Sequence, residues 1–220
     1  MHLDLSKNQF TGVIDSIGEL HQLQNIFLSE NLFDSAPIPT SFKELVNLQE
    51  LSLRNTSRTG ELFDPSLDNW KAVKFIDFGS NKLEGTIPEN YGYLPFLQYL
   101  ILNDNKLLDG DLPPTFQYST ELVGIFLDGT LISPQTSIDV LCSLPNFSNG
   151  KGGEEVFIVD CQGTCSNECS SCLCCDPADR STCSNPYFNS FDIILDEVYR
   201  RSYNFYTVTE TVESTFEDHI

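Results

Sequence analysis

Apolar and polar residues alternate along the first two thirds of the chain in a unit seen most plainly at residues 76–97, IDFGSNKLEGTIPENYGYLPFL. Ile76 and Phe78 flank Asp77, the period of a short strand with one buried face. Asn81 stands where the chain must turn. Its amide can donate to and accept from backbone groups inside a coil, each of which costs about 1–3 kcal/mol if buried and unpaired. Leu83 and Ile87 then point inward, Gly85 permits a bend and Pro88 stops strand pairing. Tyr91, Leu94 and Leu97 supply an apolar stripe on the return path. One unit makes one coil, in which Asn81 is structural and Asp77, on the outward face, is expected to matter little for stability.

The unit can be laid over its neighbours. Strand pairs fall at Leu3/Leu5, Ile26/Leu28, Leu51/Leu53, Ile76/Phe78, Leu100/Leu102 and Ile125/Leu127, with successive second members 23 to 25 residues apart. That interval identifies a repeat array. The turn position reads Asn8, Asn31, Thr56, Asn81, Asn105 and Thr130, so two coils have a hydroxyl where the others have an amide and should turn more loosely. Extra residues before Ile38, after Leu62 and at Leu108 lengthen single coils. Ser119 stands where a leucine is expected and should leave a gap in the inner stripe.

With these residues, and with G-x-I-P whole at 85–88 and nearly whole at 110–113, the chain resembles the plant-type leucine-rich repeat (LRR) family, consensus LxxLxLxxNxLxGxIPxxLGxLxxL. The resemblance covers about residues 1–141. It implies an α/β-type solenoid, or horseshoe, of about six coils with parallel strands on the concave face. It also implies a non-enzymatic module that recognises a protein or peptide, as part of a receptor-like or adhesion ectodomain. Such arrays are similar, too, to inhibitors of secreted polysaccharide-degrading enzymes, which makes regulation of such an enzyme the alternative.

Adjacent coils place equivalent outward side chains in columns about 5 Å apart. One column reads Asp4, Phe27, Ser52, Asp77, Ile101 and Phe126, and the one before it includes Phe75 and Tyr99. Aromatics beside acids are an interaction signature. The candidate contact surface is therefore Phe27, Phe75, Asp77, Tyr99, Ile101, Phe126 and Asp128, with the aromatics as anchors and the acids as steering charges. Thirty-two acids against twelve bases give the 220 residues a net charge of -20. That balance repels nucleic acid and anionic lipid and favours basic peptides. No apolar run approaches the ~20 residues of a membrane-spanning helix, though any part of the protein preceding this chain could carry one. Three scattered histidines, no phosphate loop and no nucleophile–base pairing leave catalysis without support, and no cofactor is implied.

All eight cysteines lie outside the repeats: Cys142, Cys161, Cys165, Cys169, Cys172, Cys174, Cys175 and Cys183. Two readings compete for them, a disulfide-stapled cap and a thiolate zinc site built on Cys169-x-x-Cys172 and Cys174-Cys175, the latter making a metal-binding module a third functional reading. Sequons at Asn55 and Asn146 accord with disulfides and a secretory route to the cell surface or beyond. Asp160-Cys161 and Cys172-Leu173-Cys174-Cys175 resemble the C-terminal ends of algal, diatom-type LRR proteins, and this resemblance implies a Cys-rich cap over residues 142–185. Residues 186–220 read as an amphipathic helix bearing Phe191, Leu195 and Tyr199, followed by an acidic tail. The first residues already form a repeat strand with neither cap nor signal peptide before it, which reads as an N-terminal truncation.

Overall fold

A computed structural model describes residues 1–144, 147, 156–160 and 172–175. The chain divides into two units, residues 1–182 and 183–220, and the expected helix and tail after residue 185 lie outside the described residues. So do Cys161, Cys165, Cys169, Cys183 and Asn146.

Each repeat strand is three residues long: β1 (His2–Asp4), β2 (Asn25–Phe27), β4 (Glu50–Ser52), β6 (Phe75–Asp77), β8 (Tyr99–Ile101) and β10 (Gly124–Phe126). They pair in parallel, in register with the repeat, so that Leu51 lies beside Ile76 and Ile76 beside Leu100. The sheet does not stop at the sixth coil. β12 (Val156–Asp160) pairs with β10, and β13 (Cys172–Cys175) pairs with β12, giving eight strands. The expected Cys-rich segment thus contributes two strands to the array, and the run at 156–159 is a strand of the sheet.

A second parallel sheet forms after the turn, from β3 (Ala36–Pro37), β5 (Arg58–Glu61), β7 (Lys82–Gly85), β9 (Leu107–Gly110) and β11 (Leu131–Ile132). Four coils close through five-residue 3-10 helices, at Asp15–Glu19, Thr40–Glu44, Glu89–Tyr93 and Pro114–Tyr118. The third coil instead turns through residues 67–69 and fills its extra length with Trp70. That indole is fully buried, meets Phe63 edge-on at 5.2 Å and donates from Nε1 to Phe42 O at 3.0 Å. The sixth coil returns through α1 (Pro134–Leu141), which ends at Cys142, a disulfide-bonded residue.

The core is one continuous stack, including Ile26, Leu51, Ile76, Leu100, Ile125 and the stripe Phe42, Tyr91 and Phe116. Inside it the turn asparagines form a ladder. Asn81 donates to Leu53 O of the preceding coil at 2.8 Å and to Phe78 O of its own at 2.9 Å, while its Oδ1 accepts from Thr56 N and Arg58 N. Asn105 repeats this with Phe78 O, Leu102 O and Leu83 N, and Asn31 with Leu5 O, Leu28 O and Phe10 N.

Thr56 and Thr130 reach only their own coil, donating to Leu53 O and Leu127 O at 2.6 Å. At the third coil an arginine restores the bridge. Arg58 occupies the inward position held elsewhere by Phe33, Leu83 and Ile132, is 1% exposed, and donates to Thr56 O and across to Asp34 O of the preceding coil. Burial lowers its pKa, with Asp15 and Asp34 opposing. Ser119 leaves no simple gap: its hydroxyl donates to Gly92 O one coil back at 3.0 Å.

Tyr91 replaces a consensus leucine and is fully buried, and among the described residues its hydroxyl has no hydrogen-bond partner. Burial raises its pKa well above the ordinary tyrosine value, with the charge of Asp64 adding to the shift.

Two outcomes follow for stability. Asn81→Ala removes an amide serving two coils and should cost about 1–3 kcal/mol or more in denaturant unfolding. Tyr91→Phe removes a buried, unpaired hydroxyl and should leave stability unchanged or raise it by about 1 kcal/mol. The gain should grow at alkaline pH. Because the folded-state pKa is raised, wild-type stability is intact below the ordinary tyrosine pKa and falls as pH rises above it, when the unfolded phenol ionises.

Candidate functional site: the outward face of the eight-stranded sheet

Middle residues of each strand face the core, so the first and third residues project from the opposite face. Regular stacking makes columns of them, as expected. Their surroundings are not as expected. Phe27, Phe75, Ile101 and Phe126 are 0–2% exposed, Asp77 is 0% and Asp128 is 4% exposed. Only Tyr99 among the sequence candidates is half-buried. Each of these positions other than Ile101 also makes polar, ionic or ring contacts within the chain. The picture of exposed anchors and steering acids is therefore corrected: alternation fixes which way a side chain points, and says nothing of what lies over it.

The aromatic residues pack along the columns. Phe75 and Tyr99 lie at 6.2 Å with their rings tilted by 54°. Gly124 makes room for this layer, since a Cβ there would stand 2.8 Å from Tyr99 Cδ1 and 3.1 Å from Phe126 Cε2.

A polar network runs beside them. Arg54 Nε pairs with Asp77 Oδ2 at 3.1 Å, Nη1 donates to Ser80 Oγ at 2.9 Å, and Nη2 reaches Asn103 Oδ1 at 2.6 Å, two coils away. Asn103 passes the chain on to Asp104 Oδ2 at 2.9 Å. The guanidinium can lie across the sheet because residue 79 is glycine: a Cβ there would come within 2.6 Å of both Arg54 Nη2 and Asn103 Oδ1. Asp77 also caps its own turn, accepting from Gly79 N at 2.9 Å. Upstream, Asn25 donates to Glu50 Oε2 at 2.8 Å, and Ser29 and Ser52 share a hydrogen bond of 2.5 Å.

Sequence reasoning missed Arg54 and Asn103 and took Asp77 for a solvated charge. A signal was present: opposite charges at Arg54 and Asp77 stand one repeat apart, with a glycine in the column between Arg54 and Asn103. On this face His2 and Asp4 are exposed, and Gln24, Glu50, Arg54, Ser80, Tyr99 and Asp104 are partly accessible.

Two stacked parallel sheets around an asparagine-laddered core define a leucine-rich repeat solenoid. A match to the family "Leucine Rich Repeat" spans residues 96–119. The chain is similar to Receptor-like protein 39 of Arabidopsis thaliana, with 31% identity over 57% of this chain and 17% of that protein. Among solved structures, it is similar to the plant peptide hormone receptor RGFR1 in complex with RGF2, at 30% identity and a TM-score of 0.55, covering 71% of this chain and 24% of that one. It is likewise similar to the Arabidopsis receptor kinase HAESA ectodomain in complex with an IDA peptide hormone ligand, at 29% identity and a TM-score of 0.56, covering 74% and 27%. These likenesses support a plant-type LRR protein. The chain spans about a sixth to a quarter of the length of these relatives. Among the described residues no group of three or more metal-ligating side chains is assembled, and no helix is long and apolar enough to cross a membrane.

The network gives a direct test. Asp77→Ala leaves the guanidinium of Arg54, whose side chain is 12% exposed, without its carboxylate, and should destabilise by about 3 kcal/mol, the scale for breaking a buried pair from one side. Asp68→Ala is the control. Its pair with Lys71 at 3.9 Å is open to solvent, and urea unfolding should not register its loss.

Proposed function

We propose that this chain is a non-enzymatic recognition module that binds an extended peptide or protein segment along the outward face of its eight-stranded sheet, as part of a receptor-like, extracellular or cell-surface protein. The observation that carries the reading is the column geometry: parallel strands in strict register present two rows, each of mixed polar and aromatic residues, bridged over three coils by Arg54. Two of the similar structures are receptors in complex with peptide hormones, which supports a peptide as the ligand class. The buried residues Phe27, Phe75, Ile101 and Phe126 form the floor of the face, and Glu50, Arg54, Tyr99 and Asp104 are among the groups within a ligand's reach. A net charge of -20 favours a peptide carrying positive charge.

A peptide library panned against the whole chain, followed by calorimetry on the selected sequences, tests this. Tyr99→Ala should weaken binding at least tenfold, about 1.4 kcal/mol, and Glu50→Gln should flatten the salt dependence of association. Tyr118→Ala, on the opposite side of the coil, should leave affinity unchanged. Selected peptides that bind all three variants equally would move the site off this face.

A further inference from the structure

Just beyond the outward face, the residue before each ladder position takes a left-handed backbone conformation: Lys7, Glu30, Asn55, Ser80 and Asp104 have φ of 51° to 60°, and Gly129 has 69°. This row forms a polar rim along the turn. Asn55 is its one asparagine, and it heads the sequence Asn55-Thr56-Ser57. Its side chain is exposed, while its backbone N–H is bound to Gly79 O of the next coil at 3.1 Å. The next two residues are held differently. Thr56 is fully buried, donating to Leu53 O, with its N–H on Asn81 Oδ1. Ser57 turns through a second left-handed conformation, φ 59°, and its carbonyl accepts from Ser35 Oγ at 3.2 Å.

We propose that Asn55 is an N-glycan acceptor, and that the glycan is attached before the following coil docks. Room for a glycan is present in the folded chain, because the Asn55 amide points to solvent from the rim. The acceptor conformation is absent. A transferase must take up the asparagine and the hydroxyl two residues on as a pliable strand, and here Asn81 and Gly79 of the next coil clamp the segment, with a left-handed residue on either side of Thr56. In the transfer, Asn55 Nδ2 forms a bond to the anomeric carbon of an oligosaccharide held on a lipid pyrophosphate. The carbon–oxygen bond to the pyrophosphate breaks, the pyrophosphate leaves with the electron pair, and one Nδ2 proton passes to a base of the transferase. The glycan then stands on the rim beside Arg54.

The site rests on the secretory route and not on peptide binding, so chain made in bacteria, without glycan, can serve for the binding measurements, and the two readings fail separately. The whole chain, translated behind a secretory leader with microsomes and scored only where protected from protease, should carry a glycan at Asn55. Enzymatic release in heavy-oxygen water should mark that residue in peptide mapping. Asn55→Asp, which keeps a residue suited to the left-handed turn, and Ser57→Ala should each lose that mark. For the order of events, the folded bacterial chain and a synthetic peptide of residues 50–60 are offered to solubilised transferase with a lipid-linked oligosaccharide. The peptide should be modified at least tenfold faster. Protected chains unmodified at Asn55 would overturn the site, and equal rates for folded chain and peptide would overturn the order.

Discussion

A coil of this kind wraps its own backbone around the core, and the fold depends on giving the inward-pointing N–H and C=O groups of each turn a partner. One asparagine side chain meets the demand for two coils at once, because an amide both donates and accepts. Asn31, Asn81 and Asn105 do so with almost the same distances. Threonine meets half of it. The third coil shows how the missing half is supplied: Arg58 enters a leucine position and sends its guanidinium to Thr56 O and Asp34 O. A cation takes the place of an apolar side chain because its stem fills the volume while its head replaces the amide.

The same register that satisfies the interior dictates the exterior. Every outward position of one strand meets its equivalent on the next at about 4.8 Å, so the face works in rows, and a change at one coil is felt at its neighbours. Gly79 and Gly124 are the clearest cases, since each makes space for a side chain that belongs to another coil. Arg54, held by Asp77, Ser80 and Asn103, then acts as a strut across three coils in addition to being a charge on the outward face.

How much of this was legible in the sequence differs by level. Strand positions, the inward stripe and the ladder followed from periods of two and about twenty-four residues, and they correspond to β2, β4, β6, β8 and β10 and to Asn31, Asn81 and Asn105. Arg58 and Trp70 were not legible, because both are local substitutions in the core that only the surrounding volume explains. The outward residues were placed on the correct face but given the wrong surroundings. Alternation encodes direction, whereas burial depends on residues distant in sequence. Charge pairing one repeat apart, as between Arg54 and Asp77, is legible only when the two positions are taken together.

The continuation of the sheet into β12 and β13 changes where the sheet ends. Composition shifts abruptly after residue 141, from leucine-rich to glycine- and cysteine-rich, and that shift suggests a separate module. Backbone pairing crosses it without a break, Ile125 lying beside Phe157 and Phe157 beside Cys172. The junction also carries its own tie, since Asp160 accepts from Gly129 N at 2.6 Å, a carboxylate performing across two coils the role that Asp77 performs within one. A strand that pairs in register must present its alternate residues to the same face as its neighbours. The backbone of the sheet therefore runs on through β12 and β13, past residue 141, in the register of the repeat strands.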